Sequence, residues 1–206
     1  MVELSPAKQP RARRSALALR EAARQVIARD GYAGARIADI AQEARRGIGT
    51  FYSHFRGKEA LLEALAEDFR LDLTARIQPP GPEDADPIAH LRGTVRAFWE
   101  TYTAHRPIAL ALFQAALTDA HFAAIWRSIR ADGVRVSGAR IRAAQALGFC
   151  PGLDPERAAT ALCAMVEFAC FEWCGGLGDA PVQDDEAVVK TLTDLMTHAI
   201  GWRATD

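Results

Sequence analysis

Cysteine is scarce in this sequence, with only Cys150, Cys163, Cys170 and Cys174 among 206 residues. That number cannot staple a chain of this length, so a disulfide scaffold is excluded and reduced thiols in a cytosolic protein are expected. Long apolar runs are lacking too. The most apolar stretch, residues 158–171, carries Glu167 and is too short to span a bilayer. Lys8, Arg11, Arg13 and Arg14 are followed by Arg20, Glu21 and Arg24, which interrupt any export core. A soluble, cytoplasmic protein is therefore predicted. There is no Gly-rich phosphate loop, nucleophile elbow or metal-binding His-Glu pair, and five histidines are scattered. No enzyme activity, cofactor or metal is expected. No segment sustains a period of two, and no repeat is evident.

What the chain does have is globular composition, half hydrophobic and a quarter charged, with a net charge of -1. The balance hides an asymmetry. Residues 1–60 hold 12 Lys/Arg against 6 Asp/Glu, whereas residues 61–206 hold 13 against 20. A basic quarter on an acidic body suggests a polyanion partner for the small part only. A solvated basic face explains the same numbers, so charge alone does not decide.

Helical periodicity runs throughout. Leu19, Ala22, Ala23, Val26 and Ile27 share one face, and Asp30-Gly31 stops that helix. Ile37, Ile40, Ala41 and Ala44 mark a second, short helix. After a break at Arg45-Arg46-Gly47 comes a third, Ile48 to Phe55, and Lys58 opens a longer one through Ile77. Further stripes follow near Leu91–Tyr102, Pro107–Leu117, Phe122–Gly148, Glu156–Cys174 and Glu186–Trp202. The fold class is all-α with about nine helices.

Two short helices joined by a tight turn and packed on a longer one suggest a helix-turn-helix. In the second short helix Phe51 and Phe55 anchor the inner face. Gly49, Thr50, Tyr52, Ser53 and His54 are left outward or lateral. Gly49 allows close backbone approach, and Thr50 and Tyr52 offer hydroxyls to phosphate oxygens. Lys58 sits at a helix start, where its charge and the unspent N–H groups could hold one phosphate.

The stretches Ala22–Ile27, Asp30-Gly31-Tyr32, Ile37–Ala41, Gly49–Phe55 and Lys58–Leu62 resemble, in order and spacing, the DNA-binding domain of the TetR family of bacterial regulators. The resemblance covers about residues 15–63. It implies a homodimer, a helical C-terminal ligand and dimerisation domain, and repression of an operator relieved by a small molecule. It also implies that Thr50, Tyr52 and Lys58 touch phosphates and that Ile48, Gly49 and Ser53 face bases. The expected organisation is a flexible basic arm (1–14), a DNA-binding domain (15–57) and a ligand-binding and dimerisation domain (58–206).

The turn departs from the family. Arg45, Arg46 and Gly47 stand where Gly, an apolar residue and Ser or Thr are usual. A non-Gly residue in a left-handed turn costs roughly 1 kcal/mol. Gly as a cap costs only about a few tenths of a kcal/mol. Ala35 replaces a customary Thr, so the second helix should lose a cap. Arg45 and Arg46 are either two added phosphate ligands or plain solubilising charge. His54 is either a packed neutral ring or a pH-dependent phosphate contact.

In the C-terminal body, Phe69, Trp99, Tyr102, Phe113, Phe122, Trp126, Met165 and Phe168 are candidates to line a chamber for an apolar or aromatic effector. Glu167 either meets a partner or orients a polar ligand group there. The helix Glu156–Cys174 is apolar nearly all round and must be covered on more than one side. Val166, Cys170 and Trp173, with Leu192, Leu195, Met196 and Ala199 of the last helix, are the expected dimer seam. Two rivals stay open. One is a helical enzyme or small-molecule carrier without DNA binding. The other is a redox- or metal-sensing regulator using Cys170 and Cys174, four residues apart, with His198.

Overall fold

The computed structural model describes residues 9–77, 87–174, 182 and 184–201. Nine helices occur among the described residues, and no strand: α1 (Gln9–Gly34), α2 (Ile37–Glu43), α3 (Ile48–His54), α4 (Lys58–Arg76), α5 (Pro87–Ala104), α6 (Arg106–Ala116), α7 (Ala120–Ala146), α8 (Pro155–Trp173) and α9 (Asp185–Ala199). The boundaries lie within a few residues of those the apolar spacing predicts.

Helix α1 begins at Gln9, so residues 9–14 of the expected arm are helical. The first eight residues of the expected arm lie outside the described residues. The predicted stop at Asp30-Gly31 is a real interruption, because Gly31 has φ 70° and ψ 164°. A left-handed φ is cheap only for glycine.

Two compact units arise, and they divide the chain differently from the expected boundary after residue 57. The first takes α1–α3, α4 up to Phe69, and Pro107–Ala123. Its core is Leu19, Ala23, Val26, Ile40, Phe51, Leu62, Leu65, Phe69 and Leu112, each almost without exposure. The first half of α4 joins this unit through charge as well as apolar packing. Asp68 accepts from Arg20 Nη1 and from Arg24 Nη2, both at 2.7 Å. Arg20 and Arg24 are one helical turn apart and so reach the same carboxylate.

The second unit holds Arg70–Arg106 and the described residues from Ala124 on. Here α5 lies against α9, and Trp99 Nε1 donates to Asp185 Oδ1 at 2.8 Å. Ile141, Ala159 and Ile200 form a buried cluster covered by Val134, Cys150, Ala158 and Leu162. Asp154 caps α8 by accepting from the N–H groups of Glu156 and Arg157, each at 3.0 Å. Those bonds hold its carboxyl below the ordinary range. Asp184 caps α9 through the Ala187 N–H at 3.0 Å.

Candidate nucleic-acid interface

The turn between α2 and α3 is a left-handed helix cap built on arginine. Arg45 has φ 52°. The Arg45 N–H bonds to Gln42 O at 2.9 Å and the Arg46 N–H to Ala41 O at 2.8 Å. This is the paired capping pattern that usually places glycine at the left-handed position. The expected strain is therefore present at Arg45, roughly 1 kcal/mol. Arg46 Nη1 donates to Arg45 O at 3.0 Å, which braces the turn from outside. Gly47 enters α3 with extended backbone and no side-chain cap, as expected. The cap position of α2 is Arg36, not Ala35, which is buried; Arg36 makes no side-chain cap bond.

Helix α3 presents two faces. Phe51 is fully buried and Phe55 nearly so, with ring centroids 5.7 Å apart. They hold the helix down. On the other side Ile48 is 49% and Tyr52 56% exposed, with Gly47, Gly49 and Ser53 exposed beside them. Thr50 and His54 are half-buried. A side chain added at Gly49 would meet open space, so the backbone there is accessible to a large surface. The Tyr52 ring meets Phe51 edge-on at 5.5 Å, which steadies it while leaving most of it in solvent. Ser53 Oγ donates back to Thr50 O at 2.7 Å, and its acceptor lone pairs stay available.

Arg36, Arg45, Arg46 and Arg56 are exposed in the segments flanking α2 and α3. Arg36 and Arg56 were not singled out in the sequence; their place beside the two short helices was the available signal. Lys58 is arranged differently from the expectation. Its ammonium turns inward, onto Tyr32 O at 2.8 Å, Ala35 O at 3.3 Å and Ala33 O at 3.4 Å. The first N–H groups of α4 have no intrahelical acceptor.

The expected chamber residues are divided between the two units. Phe69, Phe113 and Phe122 belong to the first unit. Trp99, Tyr102, Trp126, Met165, Glu167 and Phe168 belong to the second. Trp99 and Tyr102 are buried, and Trp126 and Met165 are half-buried. Phe168 is 55% exposed, so it lines no interior; its position on α8 turns outward. Glu167 is partnered, because Arg130 Nε lies 2.8 Å from Oε1 and 2.7 Å from Oε2. Burial still pushes its carboxyl above the ordinary range, and the Arg130 contact offsets only part of that.

The expected seam residues differ in exposure. Val166, Cys170, Leu192 and Met196 are buried within this chain, with Cys170 and Leu192 at 0% exposure. They lie in this chain's own core. Trp173 is half-buried. Leu195 and Ala199 are exposed on α9, as are Ala161, Ala164 and Phe168 on α8. Apolar spacing marked both faces of these helices without separating inner from outer. The thiols of Cys163, Cys170 and Cys174 are pushed up by burial and stay protonated. Among the described residues no group of three or more His, Cys, Asp or Glu is placed to hold a metal ion. No helix of the described residues is long and apolar enough to cross a membrane.

The chain is similar to known bacterial regulatory proteins. A family model described as "Bacterial regulatory proteins, tetR family" matches residues 19–65. A second, "Transcriptional regulator EthR, C-terminal domain", matches residues 91–201. The HTH-type transcriptional regulator EthR of Mycobacterium tuberculosis (strain ATCC 25618 / H37Rv) is 27% identical over 207 residues, 95% of each chain. A tetR-family regulatory protein from Rhodococcus RHA1 superposes with a TM-score of 0.76 at 25% identity, covering 92% of this chain and 98% of that one. AibR, solved with isovaleryl coenzyme A and operator DNA, superposes with a TM-score of 0.67 at 21% identity, covering 88% and 97%.

Proposed function

The chain belongs to the TetR family of DNA-binding transcriptional regulators, and from that premise we propose that it is a homodimeric repressor released from a palindromic operator by a small apolar or aromatic effector. One observation carries the reading. Helix α3 keeps Ile48, Gly49, Tyr52 and Ser53 uncovered on one side while Phe51 and Phe55 pin the other. A short helix anchored this way can enter a major groove. Ile48, Gly49 and Ser53 then meet base edges, while Thr50, Tyr52 and the opening N–H groups of α4 meet phosphates. Arg45, Arg46, Arg36 and Arg56 supply positive charge around them.

Residues 15–57, with the start of α4, read the operator, and the rest of the stretch 58–206 holds the effector and the second subunit. The exposed Phe168, Ala164 and Ala161 on α8, with Leu195 and Ala199 on α9, are the side chains a second copy would cover. Two reading helices about 34–36 Å apart would span half-sites one helical turn apart. An effector relieves repression if it binds better to the state in which that spacing is lost. That AibR was solved with both isovaleryl coenzyme A and operator DNA supports pairing a ligand and DNA on this fold.

Footprinting on DNA upstream of the protein's own gene tests the reading. A protected pair of half-sites related by twofold symmetry is expected, as is binding that weakens as salt rises. A folded sample that ignores every duplex in dilute buffer overturns it.

A further inference from the structure

Lysine is rare here: Lys8, Lys58 and Lys190 are the three among 25 Lys and Arg residues. Lys58 is the one that opens α4. Three carbonyl oxygens, those of Tyr32, Ala33 and Ala35, stand 2.8–3.4 Å from its Nζ. The Tyr32 ring centroid lies 4.6 Å from the same atom. An ammonium carries three N–H donors, and here they have three acceptors and an aromatic face. All three carbonyls follow Gly31, where the helical backbone of α1 is interrupted, and precede the start of α2 at Ile37. A cation is favoured at such a helix end.

We infer that Lys58 is a positioning residue for DNA recognition, whose ammonium latches the α1–α2 turn to the start of α4 and thereby sets how α2 and α3 present their outward face. This rests on the reading of α3 as the DNA reader. Both short helices have seven residues, and neither has a side-chain N-cap. Helices that short do not hold their own direction, so what grips their flanks does. On one flank the grip is the apolar anchoring of Phe51 and Phe55. On the other it is Lys58. Arg20 and Arg24, paired with Asp68 ten residues further along α4, keep α4 fastened to α1, so the latch has a fixed base. The Tyr32 hydroxyl stays a neutral phenol, pushed up to about 12 by burial and by the charges of Glu59, Asp119 and Glu63. Its ring face therefore remains a suitable seat for a cation across the working pH range.

The choice of lysine in an arginine-rich chain gives the test its edge. A compact ammonium can aim three donors at converging carbonyls; a planar guanidinium fork cannot. Arginine is, however, at least as good a phosphate ligand. K58R and K58M are therefore compared with the unchanged full chain on a duplex that this chain has selected from random sequence, across a salt series. Both variants are expected to lose roughly tenfold in affinity at every salt concentration, as for a lost charged hydrogen-bond set. The slope of log K against log salt should not change. Full binding by K58R, or a K58M slope lowered by about 0.9 per chain, marks a phosphate ligand and overturns the inference.

A second measurement needs no variant. In the unchanged, DNA-free protein, the assigned Lys58 ammonium should give a distinct 15N–1H signal protected from solvent exchange. An unprotected signal overturns the latch. Were the unchanged chain to bind no duplex, the proposed function would fall, and this signal would still decide the latch.

Discussion

Arg130 Nε contacts both carboxylate oxygens of Glu167, at 2.8 Å and 2.7 Å, with the two side chains 22% and 17% exposed. A carboxylate so placed is held by its neighbour and yet penalised by burial, and burial is the larger influence. Its proton is therefore bound more tightly in the folded chain than in the unfolded one. The resulting stabilisation is complete below the ordinary Glu value of 4.5 and is lost as pH rises through the higher folded value. Urea unfolding from mildly acidic to neutral pH should show the wild type losing stability relative to E167Q as pH rises. A wild type that gains stability relative to E167Q as pH rises would contradict this account.

Arg45 occupies a left-handed position that glycine adopts without strain. R45G should raise the thermal midpoint, since relief of about 1 kcal/mol exceeds the entropy that glycine adds to the unfolded chain. If the Arg45 guanidinium also neutralises a phosphate, the salt dependence of operator binding should fall by about 0.9 per chain. A more stable variant with an unchanged salt slope would assign Arg45 to the turn alone.

Tyr52 is more than half exposed and steadied by Phe51. Y52F should weaken binding to every operator variant by a similar factor, roughly fivefold for one hydrogen bond of about 1 kcal/mol. Altered preference among half-site sequences would instead place the hydroxyl on a base edge.

Phe168 and Leu195 are 55% and 48% exposed on α8 and α9. A large apolar side chain left in water is an unspent source of association energy, about 1.5–3 kcal/mol once covered. F168E should preserve helix content and convert the sedimenting species to a single chain. Retention of the wild-type species would move the subunit contact elsewhere.

Much of the reading head was legible in the residues. The Phe51–Phe55 spacing fixed which side of α3 faces inward, and Asp30-Gly31 marked a real interruption. The Arg45-Arg46-Gly47 triplet foretold a strained turn and a helix without a side-chain cap. These are local effects, set by backbone sterics and a 3.6-residue period that operate within one or two turns. The body was legible only as helices. Leu192 and Leu195 lie three residues apart on α9, yet one is fully buried and the other half in solvent. Phe168, read as part of an interior, faces out.

The amino-acid order alone determined the all-helical character, the basic reading head and the anchors beneath α3, because steric and apolar periodicities need only near neighbours. Tertiary structure decided where Lys58 spends its charge, which carboxylate Arg20 and Arg24 share, and which flank of α8 and α9 is core. Those outcomes depend on groups 23 to 48 residues apart in sequence, or on which neighbours happen to cover a side chain. Long-range pairing of that kind leaves no periodic trace in the chain, so only the folded arrangement could reveal it.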